Sequence, residues 1–231
     1  MPAEIAGEFR DLPRTDRNAV ATVAAGTTQA VLTELTRLAI DNSPLLCIHA
    51  GVISASSGYI AFPGPSGLGK TTLVATLVRG GFGYVSDESL AIDRATGRAQ
   101  PFARPLALSA DVWSLLGPGV GDPPSGGTEG LIQASALGRV ERADEPVRHI
   151  VLARRRPGPA RIVPANRGDA VVELLHRSFN HFRAPESSFR SIVAVVRTAR
   201  VWHACYQDAR DMIELLPDTL GVQAIADTAA K

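Results

Sequence analysis

The chain has 231 residues, 45% hydrophobic and 20% charged, with a formal net charge of +1. That is the composition of a soluble globular protein, with no global field for nucleic acid or an anionic membrane, so any basic site has to be local. Only 5% of residues are aromatic, too few for a base-stacking platform, and no apolar stretch is long enough to cross a bilayer.

Residues 1–18 mix charges and prolines without periodicity and read as a loose arm. From 27 to 40 the apolar positions Val31, Leu32, Leu35, Leu38 and Ala39 share a helical face, and Asp41-Asn-Ser-Pro44 stops that helix. Leu45 to Ile53 reads as a buried strand, residues 54–58 as a small polar turn, and 59–63 as the returning strand. If these two strands form a hairpin, counting back from the turn sets His49 opposite residues 64–66. A histidine on an apolar strand is commonly a core residue with its hydrogen bonds satisfied, so a core and a site reading both stay open.

The returning strand runs into Gly64-Pro65-Ser66-Gly67-Leu68-Gly69-Lys70-Thr71-Thr72, which carries the Gly-x-x-x-x-Gly-Lys-Thr phosphate-loop pattern. Glycines let successive backbone N–H groups turn inward, and the following helix adds the positive end of its dipole. Lys70 is placed to reach the β- and γ-phosphates of ATP, and the Thr71 hydroxyl to ligate Mg²⁺. A helix over 70–79, ended by Gly80-Gly81, carries the chain roughly 15 Å away at 1.5 Å per residue. A strand over 82–86 returns about 16 Å, parallel to the loop strand by the right-handed crossover rule. Asp87 and Glu88 then emerge level with the γ-phosphate, where a carboxylate can accept a proton or hold Mg²⁺.

Residues 89–102 read as a β-meander and 104–108 as an extended piece. Arg104 reads first as a surface arginine, with a phosphate or substrate contact as the alternative. Residues 109–116 form a short capped helix. The glycine- and proline-rich stretch 117–130 reads as a mobile loop. A strand is expected within 131–140, another over 147–153 running into Arg154-Arg155-Arg156, and a short one over 161–164. Those arginines suit phosphate or an acidic peptide as well as plain solvent. Helices follow over 169–179 and 187–199, a strand over 201–206, and two helices over 208–216 and 217–228. His149, His176, His181 and His203 show no metal-ligand spacing. Cys47 and Cys205 sit in apolar runs and read as buried thiols, which with no apolar N-terminal leader suggests a cytoplasmic protein.

His49-Ala-Gly-Val52, the loop 64–71 and Asp87-Glu88, in that order and spacing, resemble the catalytic domain of the HPr kinase/phosphorylase family. The likeness runs well over 45–108 and in general pattern beyond. It implies an α/β fold: a mixed sheet flanked by helices, built like the nucleotide-binding core of phosphoenolpyruvate carboxykinase. Residues 1–44 would then be an arm and helix, and 45–231 the catalytic domain. The resemblance further implies Asp87 as the base for a serine hydroxyl and His49 as its orienting partner. Lys70 would stabilise the transferring phosphoryl group, Thr71 would hold Mg²⁺, and Glu88 would support the metal or the base. The family's N-terminal domain has no counterpart here, and Ala103-Arg104-Pro105 stands where its Glu-Arg-Gly signature falls. Short relatives of this kind resemble kinases that tailor ribosomal peptides, lasso precursors among them. The expected activity is therefore ATP- and Mg-dependent phosphorylation of a serine in a peptide or protein, by a homo-oligomer as the family implies, without nucleic-acid or membrane partners. A small-molecule kinase of the shikimate type and a regulatory nucleotide-binding module without transfer activity are the alternatives.

Overall fold

The structure is a computed structural model that describes residues 25–122 and 129–225, so the arm 1–18, part of the glycine-rich loop and residues 226–228 lie outside the described residues. Helix α1 (Ala25–Asp41) precedes the hairpin β1 (Leu46–Ala55) and β2 (Gly58–Pro63). Then come α2 (Lys70–Arg79), β3 (Gly83–Ser86), β4 (Ser89–Ile92), β5 (Ala99–Gln100), β6 (Leu106–Leu108) and α3 (Ala110–Leu115). The second half holds β7 (Gly130–Ile132), α4 (Ala134–Leu137), β8 (Val147–Arg155), β9 (Arg161–Pro164), α5 (Arg167–His176), α6 (Pro185–Thr198), β10 (Arg200–Tyr206) and α7 (Asp211–Leu220).

Among the described residues the main sheet has eight strands in the order β5-β4-β1-β2-β8-β10-β9, with β3 also paired to β1. It is mixed: β2, β8 and β10 are parallel neighbours, while β1 is antiparallel to β2, β3 and β4. Strict alternation along β2 explains why helices cover both faces. Ile60 and Phe62 join a cluster with Leu73, Leu77 and Met212 of α2 and α7, whereas Tyr59 and Ala61 join Leu174, Ile192 and Val195 of α5 and α6. The molecule is thus α/β, with a mixed sheet between helical layers.

Several elements depart from the sequence reading for identifiable reasons. The stretch 131–140 holds only the short strand β7 and one turn of helix, and Val140 makes an isolated bridge to Tyr84. One helix, α7, runs through Pro217 where two were expected. Met212, Leu216 and Leu220 repeat every four residues and are all buried, so packing outweighs the single hydrogen bond that proline forfeits. On α1, Val31 and Ile40 are buried but Leu35 and Leu38 are exposed, so the core takes a narrower stripe than the periodicity suggests. The thiols are free, Cys47 buried and Cys205 half-buried.

Candidate functional site

The hairpin register is Ala50 opposite Pro63, which sets His49 opposite Gly64 as the count from the turn requires, and Gly64 N–H leans toward the His49 carbonyl at 3.5 Å. The loop leaves β2 through Gly67 (φ 79°) and Gly69 (φ 84°), left-handed conformations that side-chain-bearing residues resist. No side chain caps α2 at Gly69, so the first N–H groups of the helix remain donors for an anion. Helix α2 rests tightly on β1: a Cβ at Gly51 would meet Val74 Cγ2 at 2.7 Å. That approach sets Thr71 against the strand bearing the acids.

Strands β3 and β4 both pair with β1, and Asp87-Glu88 interrupt the ladder opposite Ala50-Gly51. Ser86 Oγ accepts the N–H groups of Glu88 (3.1 Å) and Ser89 (2.9 Å), which holds the interruption open. Asp87, 1% exposed, accepts four hydrogen bonds: Tyr84 hydroxyl (2.9 Å) and Arg104 Nε (3.1 Å) to Oδ1, Thr71 hydroxyl (3.0 Å) and an Arg104 terminal nitrogen (3.1 Å) to Oδ2. An ionised carboxylate has about four acceptor positions, so Asp87 is saturated. Glu88 faces the cleft more openly. Its Oε1 lies 3.2 Å from His49 Nδ1 and its Oε2 3.0 Å from Arg104, which leaves acceptor positions free.

The expected pairing is therefore revised: His49 contacts Glu88, through both the carboxylate and the Glu88 carbonyl (3.1 Å), and no hydrogen bond joins it to Asp87. The interruption turns the two neighbouring acids in different directions, Asp87 toward α2 and Glu88 toward β1. Burial raises the Glu88 carboxyl, but the His49 hydrogen bond and the Arg104, His49 and Lys70 charges outweigh it and hold the group below its usual range. Lys70 is 7% exposed and donates to the carbonyls of Gly64 (2.9 Å) and Pro65 (2.6 Å). Burial pushes its ammonium down to about 8, with Arg177 adding to the effect while Glu88 and Asp87 oppose it. Burial and the adjacent Asp87 push the Tyr84 phenol well above its normal range.

Arg104 is the chief site residue that the sequence reading misplaced. Its side chain is only 13% exposed and bridges both acids rather than facing solvent. Tyr84 and Gln29 were not singled out; Gln29 brings α1 to the wall of the cleft, and its Oε1 is buried without a hydrogen-bond partner. The pairings of Arg104 and Tyr84 depend on where β3 and the 99–106 segment sit in the sheet, which residue spacing does not carry. The cleft of about 390 Å³ brings together His49, Lys70, Thr71, Asp87, Glu88 and Arg104. Of the loop residues, Ser66, Gly67, Gly69 and Thr72 also line it, while Gly64, Pro65 and Leu68 face a neighbouring cavity.

Among the described residues no group of three or more His, Cys, Asp and Glu side chains is arranged to hold a metal alone. Thr71 and Glu88 still offer the hard oxygens Mg²⁺ prefers, and that ion ordinarily takes one or two carboxylates and completes its shell with phosphate oxygens and water. The donor set fits a metal that arrives with a nucleotide. No known protein-family model matches this chain, and neither does any curated protein.

Proposed function

We propose that the protein is an ATP- and Mg-dependent kinase, built on a core of the HPr kinase and phosphoenolpyruvate carboxykinase type, that transfers the γ-phosphoryl group to a serine hydroxyl of a peptide or protein. The reading rests on one observation: Thr71 of the glycine loop donates to Asp87 at 3.0 Å while Glu88, paired with His49, stands beside it in the same cleft. The phosphate cradle and a free carboxylate acceptor are thereby adjacent. Serine as acceptor comes from the family resemblance.

In this proposal the loop N–H groups and Lys70 bind the polyphosphate, and Lys70 offsets charge on the transferring group. Thr71, whose hydroxyl hydrogen goes to Asp87 and whose oxygen lone pairs stay open, would hold Mg²⁺ together with phosphate oxygens and water, and the ion would neutralise phosphate charge. Asp87 is saturated by neighbours, so it anchors rather than accepts. Glu88 has open acceptor positions and is ionised across the neutral range, so it takes the serine proton. His49 orients it, and Arg104 positions both acids. The serine oxygen forms a bond to the γ-phosphorus, the bond from that phosphorus to the bridging oxygen breaks, ADP leaves with the electron pair, and the proton ends on Glu88. Such transition states are loose, so a weak base that receives its proton late suffices.

The test is transfer of label from γ-labelled ATP with Mg²⁺ into candidate peptides, proteins and metabolites. Label in a serine peptide supports the proposal, label in a metabolite moves the protein to the small-molecule kinases, and binding without transfer makes it a regulatory module. Glu88→Gln is expected to lower transfer by about 10²-fold or more with ATP affinity little changed. Asp87→Asn is expected to weaken Mg-dependent nucleotide binding as well. An active Glu88→Gln variant would remove Glu88 from the role of base.

A further inference from the structure

Two smaller cavities flank the glycine loop at opposite ends. One, of about 320 Å³, touches Gly64 and Pro65. The other, of about 280 Å³, touches Gly69 and Thr72 and is lined by Val112, Leu115, Arg155 and Asp208. Lys70 identifies the ends, because its ammonium sits on the carbonyls of Gly64 and Pro65 and a loop lysine reaches the outer phosphates. The inner phosphate, and whatever is attached to it, must leave on the side of Gly69 and Thr72.

We infer that the cavity between α3 and the ends of β8 and β10 is the nucleoside subsite, taking the base and ribose of a nucleoside triphosphate. The inference rests on the phosphate-loop reading above and adds the direction in which the nucleotide lies. Three further features support it. The cavity opens at the carboxyl ends of the parallel strands β8 and β10, marked by Arg155 and Tyr206, where open α/β sheets bind ligands. Its wall on α3 carries an apolar patch beside the Asp111 carboxylate: Val112 packs against the core below, and Leu115 is 45% exposed, a large aliphatic surface with a cavity beside it. Polar groups suited to ribose hydroxyls also line the cavity, among them Ser109 and the Asp208 carboxylate, which Arg210 holds in place through its backbone N–H (2.9 Å) and guanidinium. An apolar patch among polar side chains suits a ligand that is part base and part ribose.

The probes are MgATP and Mg-tripolyphosphate, which share the phosphates and differ in the nucleoside. Binding is measured by calorimetry on the wild type and on Val112→Arg and Leu115→Arg, the latter at an exposed position that tolerates the change. The wild type is expected to bind ATP at least about 10-fold more tightly than tripolyphosphate, an advantage of roughly 1.4 kcal/mol. Both variants are expected to lose most of that advantage while tripolyphosphate binding stays within about 2-fold, which also certifies that the loop is folded. Equal affinities for the two probes in the wild type, or variants that keep the full ATP advantage, would overturn the assignment. If neither probe binds the wild type, the phosphate-loop reading fails, and the subsite fails with it.

Discussion

Replacing Arg104 by methionine tests whether the paired acids form one electrostatic unit. Methionine keeps much of the apolar bulk but removes the guanidinium that contacts Asp87 at 3.1 Å on each oxygen and Glu88 at 3.0 Å. The Asp87 side chain is fully buried, and once the guanidinium is gone two neutral hydroxyls, from Tyr84 and Thr71, are left as its side-chain donors. Removing one member of a buried pair costs about 3–5 kcal/mol, because the surviving charge stays desolvated. At ~2–4 °C per kcal/mol for a chain of this size, the melting temperature should fall by about 6–20 °C. Adding Asp87→Asn removes the stranded charge, so the double variant should be more stable than the sum of the single changes by about 2 kcal/mol. Thermal and urea unfolding of the four proteins in that cycle supply the measurement. A single variant melting within about 2 °C of wild type, or strictly additive effects, would refute the idea that Arg104 is the buried counter-ion.

Further expectations concern protons and packing. Because Lys70 is pushed down to about 8, ATP binding above that pH should take up a proton as phosphate restores the ammonium, whereas below it no uptake occurs. Calorimetry in buffers of different ionisation enthalpy reads this directly, and Lys70→Ala should abolish both the uptake and most of the binding. His149 is buried, accepts a hydrogen bond from Trp202 Nε1 at 3.1 Å, and is pushed down by burial from 6.5 to about 4. Its folded form therefore resists a proton that the unfolded chain accepts, so stability should fall as the pH drops from 6.5 toward 4, and His149→Gln should flatten that part of the profile. Gly51→Ala should cost about 1–3 kcal/mol, because the added methyl reaches Val74 at 2.7 Å, and its lower denaturation midpoint would confirm the close seating of α2 on β1.

The local signals in this chain are strong where backbone chemistry is demanding. A loop with left-handed Gly67 and Gly69 admits few residue types, so the 64–71 pattern and the helix Lys70–Arg79 were legible to the residue. The turn lies within the expected 54–58 but is shorter, Ser56-Ser57 alone, and counting from it brought His49 to the loop. Weak boundaries failed where packing overrode propensity, as in the helix through Pro217 and the helical turn Ala134–Leu137, which buries Ala134 and Leu137.

Sequence alone determined that a histidine, a glycine loop and two acids would meet, because each is tied to the next by short segments of nearly fixed length. Only the tertiary structure decided how they pair. Strand β3 carries an extra residue, Val85, against β1, and the ladder breaks at Asp87-Glu88, so neighbouring carboxylates turn apart. His49 meets Glu88, Asp87 meets Thr71, and Arg104, 17 residues away in the chain, fills the space between them. Side-chain direction depends on such one-residue shifts, and composition and spacing do not encode them.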